Sequence, residues 1–285
     1  MQSVQAKSIS TQNKAIATPE KFMHPMLNIA VRAARAAGDV IVRQMDRVQD
    51  IPVLVKSRND FVTDVDKAAE AIIINTIHTS FPQHAFLGEE TGATGNSDYQ
   101  WIIDPLDGTT NFLHGYPQFA VSIALRHKGI LDQAVVYDPL RQELFTASRG
   151  QGAQLNNRRI RVSNQLTLEG ALLGTGFPFR DNDILEDYLN TFRAFFPMSA
   201  GIRRAGAAAL DLAYLACGRL DGFWEFRLNI WDIAAGALLI QEAGGLVGEL
   251  SGGVNYLDSG NIVAANPKLF KVMLKALRDM PATTI

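Results

Sequence analysis

The order of predicted helices and strands is the feature that most constrains the fold of this chain. Apolar residues recur at helical spacing over residues 25–47 and 64–80. Short β-like runs follow between residues 84 and 147. Turn-forming residues separate the later runs, and this arrangement predicts an antiparallel meander there. Along the rest of the chain, predicted helices and strands are interspersed without a regular βαβ alternation. Such an order favours a layered α+β fold over a doubly wound parallel sheet.

The second part of the chain continues the same mixed order. Its apolar spacing predicts short strands and four helices, which span residues 184–195, 206–217, 233–243 and 267–278. No repeat, low-complexity tract or Pro/Ser-rich linker interrupts this pattern. We predict a flexible extension over residues 1–22, one explanation of which is a remnant of cloning. The remainder is predicted to form an α+β half over residues 23–150 and an α/β half over residues 151–285.

Composition and charge narrow the classes of function. The chain has 285 residues, with 27 Lys and Arg against 29 Asp and Glu, and a formal net charge of −2. This balance gives no indication of direct nucleic-acid binding, and no run of about 18–20 apolar residues predicts a membrane span. Cys217 is the only cysteine, which excludes an intramolecular disulfide and a cysteine-based metal cluster. These features predict a cytoplasmic protein without membrane association.

Two carboxylates follow an apolar strand in the segment WIIDPLDGTTN. Asp104 and Asp107 offer anionic oxygens, and a turn can aim the backbone carbonyl of Leu106 in the same direction. Mg²⁺ prefers oxygen ligands of this kind. Gly108 permits a phosphate to approach backbone N–H groups at the start of a helix. The alternative is a structural turn in which Asp104 is an N-cap and Pro105 is the first helical residue.

Three further acidic motifs each have two explanations. Glu89 and Glu90 follow a predicted strand, where they ligate a metal or lie in a solvated loop. The segment TDVD begins at Thr63, a candidate N-cap, and its carboxylates suit the helix dipole without any catalytic role. Asp232 in the segment WDIAAG precedes a helix of small residues, where a structural N-cap is the simpler explanation. None of these motifs is specific by itself.

The combination of these motifs is specific. The segments TDVD, GEE, DPLDGTTN, WDIAAG and EAGG together resemble the inositol monophosphatase family of Mg²⁺-dependent, lithium-sensitive phosphatases, and most nearly its bacterial inositol-1-monophosphatase members. The resemblance runs from about Met23 to the C-terminus. No P-loop, GxSxG, HExxH or CxxC motif offers a rival catalytic signature. The resemblance implies an α–β–α–β–α sandwich, shared with fructose-1,6-bisphosphatases, and a homodimer.

The resemblance also implies a role for individual residues, carried over at matching positions. The implied metal ligands are Glu89, Asp104, the carbonyl of Leu106, Asp107 and Asp232. Asp104 would bridge two ions. The implied catalytic residues are Glu89, Thr109, whose hydroxyl orients the attacking water, and Asp66, its carboxylate partner. The implied substrate-binding residues are Gly108, Thr109, Ala208, Glu225 and Asp232.

The expected activity is Mg²⁺-dependent hydrolysis of a phosphate monoester by attack of a metal-activated water. The expected substrates are inositol-1-phosphate and similar small sugar or polyol phosphates. The family implies two or three Mg²⁺ ions and inhibition by Li⁺. Phosphate monoesters hydrolyse extremely slowly in water, so charge on both the attacking and the leaving oxygens must be neutralised. Converging carboxylates that hold cations meet this requirement.

Two alternatives remain open from the sequence. Fructose-1,6-bisphosphatases and phosphatases of 3′-phosphoadenosine nucleotides use nearly the same carboxylates, but their substrates need additional cationic or aromatic contacts. Arg203 and Arg204 are the basic pair considered for such contacts, and Glu225 favours polyol hydroxyls over a second phosphate. A different class of function is a non-catalytic protein partner of the bacterial transcription machinery, a role linked to some bacterial relatives. Every matched carboxylate is present, which argues against a degenerate enzyme.

Overall fold

The computed structural model describes residues 23–45, 53–57, 60–178 and 182–279. The predictions for residues 1–22 and 46–47 lie outside this part of the chain. The helices are α1 Pro25–Met45, α2 Asp64–Ser80, α3 Thr109–Leu113, α4 Leu185–Phe195, α5 Ala208–Ala216, α6 Ile230–Glu242, α7 Tyr256–Ser259 and α8 Pro267–Arg278. The strands are β1 Val53–Ser57, β2 Asp60–Thr63, β3 Ala85–Gly88, β4 Gly92–Thr94, β5 Tyr99–Asp107, β6 Ala120–His127, β7 Ile130–Asp138, β8 Glu143–Ser148, β9 Gly152–Leu155, β10 Arg158–Arg159, β11 Leu172–Thr175, β12 Gly201–Arg203, β13 Gly222–Glu225, β14 Leu246–Gly248 and β15 Ile262–Ala265.

The larger sheet has eight strands in the order β10-β9-β8-β7-β6-β5-β3-β4. Neighbouring strands from β5 to β10 pair antiparallel, which confirms the predicted meander. Strand β3 instead pairs parallel with β5 and places Gly88 opposite Ile103, while β4 adds antiparallel to β3. Because β3 and β5 run in the same direction, their carboxyl ends meet at one edge. This edge therefore carries both Glu89 and Asp104.

The smaller sheet has five strands in the order β12-β11-β13-β15-β14. Strand β11 is parallel to both β12 and β13. Strand β15 is antiparallel to β13 and β14 and pairs Glu225 with Ile262 at the end of β13. Strands β1 and β2 form a separate antiparallel hairpin that leads into α2.

In the described part of the chain, three apolar cores join the sheets and helices into five layers. Helices α1 and α2 cover one face of the larger sheet, α5 and α6 lie between the sheets, and α4 and α8 cover the outer face of the smaller sheet. Successive side chains of β5 point to opposite faces of the larger sheet and so belong to different cores. Trp101 and Ile103 face α1 and α2, whereas Ile102 faces α5 and α6. The structure confirms the predicted α+β class and the α–β–α–β–α sandwich.

The two central helices are largely apolar because both sheets cover them. Leu210, Leu212 and Leu215 on α5 are fully buried. A side chain at Gly236 on α6 would collide with Leu212, so the glycine permits close approach of the two helices. Close packing fixes the starts of α5 and α6 beside the carboxyl end of β5.

The division of the chain near residue 150 stays a prediction. Strands β9 and β10 continue the larger sheet to Arg159. Within the described residues, no helix is both long enough and apolar enough to cross a bilayer.

Candidate active site

A cavity of about 530 Å³ opens where β5 ends and where α5 and α6 begin. Most of the residues predicted for the site line this one cavity: Glu89, Asp104, Leu106, Asp107, Gly108, Thr109, Ala208, Glu225 and Asp232. Asp66 does not line it and reaches it through a hydrogen bond with Thr109, described below. The fold therefore gathers residues from both halves of the sequence at one place.

A β-bulge in β5 turns two of the carboxylates to the same side of the sheet. Asp104 lies opposite Ser122 and Asp107 opposite Ala120, so β5 contains one more residue than β6 over this stretch. In a regular strand, residues three apart would point to opposite faces. The bulge reverses that alternation, and Leu106 packs in the core beneath α1 and α2. Asp104 Oδ1 accepts a hydrogen bond from the Leu106 amide at 3.0 Å, which stabilises the bulge.

Asp232 joins these two carboxylates from α6. One carboxylate oxygen from each of Asp104, Asp107 and Asp232 lies within 4.8 Å of the other two. Asp232 is the third residue of α6, and its Oδ2 accepts a hydrogen bond from the Asn229 amide at 2.7 Å in a capping box. The expectation that Asp232 is itself the N-cap is wrong, because Asn229 occupies that position.

Burial and mutual repulsion make this cluster unfavourable without a cation. Burial, followed by the negative charges of Glu89 and its neighbours, raises the pKa of Asp104 well above its usual range. Burial and the charge of Asp232 have the same effect on the pKa of Asp107. Carboxylate oxygens converging in this way are the ligands that a hard divalent cation prefers. The donor set therefore fits Mg²⁺.

Glu89 meets the cluster from the end of β3. Its amide donates to the Ile103 carbonyl at 3.1 Å and extends the parallel pairing of β3 and β5 by one residue. Its side chain is in hydrogen-bonding contact with Asp104. The alternative of a solvated loop for Glu89 and Glu90 does not describe this position, because both residues are partly buried at the junction of two strands.

Asp66 and Thr109 form a second functional pair beside the carboxylates. Thr63 is the N-cap of α2, as the sequence predicts, and it also makes a capping box with Asp66. Asp66 Oδ2 accepts from the Thr63 amide at 2.8 Å, and Asp66 Oδ1 accepts from the Thr109 hydroxyl at 2.9 Å. Burial raises the pKa of Asp66, and the hydrogen bonds from Thr63 oppose that shift.

Gly108 begins the short helix α3 in a left-handed conformation. Its φ is +94°, a backbone conformation that favours glycine, and a Cβ there would lie 2.8 Å from the Gln118 carbonyl oxygen. Both the backbone conformation and the lack of space therefore exclude a side chain at this position. Because β5 continues to Asp107 and Gly108 is the N-cap of α3, the alternative in which Asp104 caps a helix that begins at Pro105 is wrong. A helix does begin directly after Gly108, at Thr109, as the segment predicts.

The opposite wall of the cavity is formed by α5 and β13. Ala208 is the first residue of α5, and Asp107 Oδ2 accepts from the next amide, that of Ala209, at 2.8 Å. Glu225 ends β13, and a Cβ at Gly176 would collide with its carboxylate. Burial and the neighbouring charge of Asp211 raise the pKa of Glu225 well above its usual range.

Asp211 is a cavity-lining residue that the sequence analysis missed. It lies on α5 between buried leucines, is only 3% exposed, and has a pKa that burial raises to about 8. A single carboxylate within an otherwise apolar helix was the available signal. Arg204 also lines the cavity, and its Cζ lies 5.2 Å from the centroid of the Phe177 ring. Its neighbour Arg203 is exposed and is not among the residues that line the cavity.

Comparison with known proteins identifies the family. The chain matches the inositol monophosphatase family over residues 23–282. It is 59% identical over 262 residues to the Nus factor SuhB of Pseudomonas aeruginosa, an alignment that covers 90% of this chain and 97% of that protein. The solved extragenic suppressor protein suhB of Bartonella henselae is 45% identical, with a TM-score of 0.87 and coverage of 90% of this chain and 99% of that one. The inositol monophosphatase from Anabaena (Nostoc) is 40% identical, with a TM-score of 0.79 and coverage of 90% and 96%. The chain therefore belongs to the inositol monophosphatase family, as its motifs predict.

Proposed function

We propose that the protein is a Mg²⁺-dependent phosphatase of inositol-1-phosphate and similar small sugar or polyol phosphates. The observation that carries this proposal is the convergence of Asp104, Asp107 and Asp232 within 4.8 Å, with Glu89 in contact with Asp104. These four side chains and the Leu106 carbonyl are the residues that would hold the metal. Bound Mg²⁺ supplies a water of lowered pKa and neutralises phosphate charge.

The residues around the carboxylates suit the steps of a phosphate ester hydrolysis. Because Thr109 gives its own proton to Asp66, the Thr109 oxygen is left as an acceptor for a proton of the attacking water. Asp66 is held by Thr63 and so fixes the direction of that hydroxyl. The amides of Gly108 and Thr109 are proposed to bind the phosphate, at the start of α3.

The proposed substrate class rests on the wall opposite the carboxylates. Ala208 leaves room for a ring, and Glu225 and Asp211 offer carboxyl groups for hydroxyl groups of a polyol. Asp232 is proposed to contact a substrate hydroxyl as well as the metal. The Anabaena relative is described as an inositol monophosphatase, which agrees with this substrate class.

The test is phosphate release from inositol-1-phosphate by the wild type and by Asp104→Asn, with and without Mg²⁺ and then with added Li⁺. We expect turnover that requires Mg²⁺, is suppressed by Li⁺ and is lost in the variant. Fructose-1,6-bisphosphate and a 3′-phosphoadenosine nucleotide belong in the same assay. Faster turnover of either one would assign the chain to a sister phosphatase, and absence of turnover on all three would contradict the proposal.

A second candidate function is that of a protein partner in transcription. The Pseudomonas relative, at 59% identity, carries the name Nus factor, which points to the transcription machinery. This role does not require turnover, so Asp104→Asn should retain it if binding is independent of the site. Pull-down of transcription proteins from a bacterial lysate, compared between wild type and variant, separates a binding role from a catalytic one.

Three further features are proposed with this function. We propose a homodimer, tested by sedimentation, and a cytoplasmic location, tested by fractionation of cells that express the chain. We also propose that the segments 23–150 and 151–285 correspond to two halves of one folding unit. Expression of each segment alone tests this division, and neither is expected to fold independently because α5 and α6 pack on both sheets.

A further inference from the structure

Glu70 is a buried carboxylate that has no role in the proposed mechanism. It lies on α2, four residues after Asp66, and is completely inaccessible to solvent. Its Oε1 accepts a hydrogen bond from the Glu90 amide at 3.0 Å, and its Oε2 has no hydrogen-bond partner among the described residues. A buried carboxylate with an oxygen left unpaired lowers stability, so its presence calls for an explanation.

The one side-chain hydrogen bond described for Glu70 is with the loop that carries Glu89. On the preceding side, the Glu89 amide donates to the Ile103 carbonyl at 3.1 Å, next to Asp104. On the following side, the Glu90 amide donates to Glu70. The backbone of Glu89 is thus held by a hydrogen bond at its own amide and by another at the next amide. The Glu70 bond supplies the second of these restraints.

The adjacent glycine is shaped to this contact. A Cβ at Gly88 would collide with Glu70 Oε1, so only glycine permits the carboxylate to lie against the end of β3. The φ of Gly88 is not in the left-handed region, so backbone conformation does not require glycine here. The close approach of Glu70 is therefore the reason for a glycine immediately before Glu89.

We propose that Glu70 is a positioning residue that holds Glu89 in the orientation required for metal binding, through its hydrogen bond with the Glu90 amide. This inference rests on the metal-ligand role of Glu89 in the proposed function. Helix α2 then supports the site twice, because Asp66 holds the Thr109 hydroxyl and Glu70, one turn later, holds the loop of Glu89. Groups that orient a metal ligand without touching the metal commonly change metal affinity by about 10- to 100-fold when removed.

The test is calorimetric titration of the purified chain with MgCl₂ in the absence of substrate. Glu70→Gln keeps an acceptor oxygen for the Glu90 amide, whereas Glu70→Met has similar length and no acceptor at that place. We expect Mg²⁺ affinity to fall by about tenfold or more in Glu70→Met and to stay within about threefold of wild type in Glu70→Gln. The concentration of Mg²⁺ giving half-maximal phosphate release should shift in parallel.

Glu242→Met is the matched control for loss of a loop contact. Glu242 on α6 also holds loop amides, those of Gly150 and Gly152, both at 2.7 Å, and it does not line the cavity. Its replacement should lower thermal stability and leave Mg²⁺ affinity unchanged. If Glu70→Met fails to fold, Gly88→Ala tests the same contact from the other side and should weaken Mg²⁺ binding because its Cβ displaces Glu70.

Several results would overturn the inference. Wild-type Mg²⁺ affinity in folded Glu70→Met, or equal losses in Glu70→Gln and Glu70→Met, would show that the hydrogen bond does not position Glu89. A similar loss in Glu242→Met would make the effect one of general stability. Wild-type protein that binds no Mg²⁺ would refute both this inference and the proposed function. Wild-type binding of Mg²⁺ without phosphate release, with the variants ordered as expected, would refute only the proposed phosphatase.

Discussion

The Thr109 hydroxyl lies 2.9 Å from Asp66 Oδ1 and joins the first residue of α3 to the first turn of α2. The Leu106 carbonyl, at 3.0 Å, is a second acceptor for the same hydroxyl. A hydroxyl has a single proton and can serve only one of these acceptors at a time. Asp66 is fixed by Thr63 on its other oxygen. When the Thr109 hydroxyl donates its proton to Asp66, its oxygen can still accept a hydrogen bond from a third group. In the proposed function this third group is water.

Replacement of Thr109 tests that arrangement. Thr109→Val has nearly the same shape but no hydroxyl, and we expect kcat to fall by about 100-fold or more, with a small change in KM. Thr109→Ser keeps the hydroxyl and should retain most of the activity. Steady-state kinetics with inositol-1-phosphate measure both effects, and urea unfolding should show a loss of only about 1 kcal/mol in Thr109→Val.

The control for this pair is Thr79→Val, which removes an exposed hydroxyl that bonds to a backbone carbonyl at the far end of α2. It should leave kcat unchanged. Equal kcat values for Thr109→Val and Thr109→Ser would show that the hydroxyl has no part in catalysis.

Asp104→Asn tests the centre of the carboxylate cluster. The amide has the same shape but no charge, so Mg²⁺ binding and phosphate release should both be lost while the fold remains. Without Mg²⁺ the variant should be at least as stable as wild type, because burial and neighbouring charges disfavour the Asp104 carboxylate. Thermal unfolding with EDTA, together with calorimetric titration of Mg²⁺, measures this separation of function from stability.

Asp98→Asn is the corresponding control, since Asp98 is exposed one residue before β5 and lies outside the cavity. It should bind Mg²⁺ and turn over substrate like wild type. Normal Mg²⁺ binding and turnover in Asp104→Asn would mean that the carboxylate cluster is not the metal site.

The motifs named residues most of which line one cavity, but they did not predict the local geometry that brings them together. Asp104 and Asp107 face the same way because of a bulge, and their spacing alone would put them on opposite faces. The sequence offered two side chains that can cap α6, because asparagine and aspartate are equally good N-caps. Asn229 takes that position, so Asp232 becomes the third residue of the helix. Both features depend on neighbouring strands and amides, and neither produces a period in the sequence.

Several of the short strands were missed for a related reason. Strands β4, β10 and β12 contain two or three residues each, too few for alternation to be detected, and they exist because a neighbouring strand offers its edge. The long helices and the meander, by contrast, carry several turns or alternations of apolar residues. Asp211 and Glu70 were missed because their importance lies in burial and contacts, which residue type alone does not reveal.

Asn111→Ala tests the connection between α3 and the opposite wall of the cavity. Asn111 Nδ2 lies 2.7 Å from the Gln118 carbonyl, 2.9 Å from the Ala205 carbonyl and 3.2 Å from the Gly206 carbonyl. Removal of the amide should lower the free energy of unfolding by about 1–3 kcal/mol, because carbonyls near the site lose their donor. KM should rise as the wall that precedes α5 loosens.

Asn111→Asp is a more specific test, because it replaces the NH₂ donor with a carboxylate oxygen that faces the same three carbonyl oxygens. It should be less stable than Asn111→Ala in urea unfolding, owing to repulsion between oxygens. The opposite order would show that the side chain fills space and does not connect the two segments.

The free energy of unfolding should depend on pH through Asp211. Burial raises the pKa of this carboxyl to about 8 in the folded protein, against 3.8 for the ordinary side chain. Between these two values the unfolded chain carries a carboxylate while the folded chain keeps the proton, so the folded state binds more protons. The contribution of Asp211 to stability is therefore complete below pH 3.8 and is lost as the pH rises toward 8.

Asp211→Asn removes this dependence because the amide stays neutral in both states. Relative to wild type, the variant should gain about 1–3 kcal/mol in free energy of unfolding between pH 5 and pH 7.5, since one pKa unit corresponds to about 1.4 kcal/mol. The measurement is urea unfolding of both proteins in EDTA at the two pH values. The positive charge of Arg204 lowers the pKa of Asp211 and so reduces the gain, but it does not change its sign. An unchanged difference between the two pH values would show that Asp211 does not bind a proton on folding in this range.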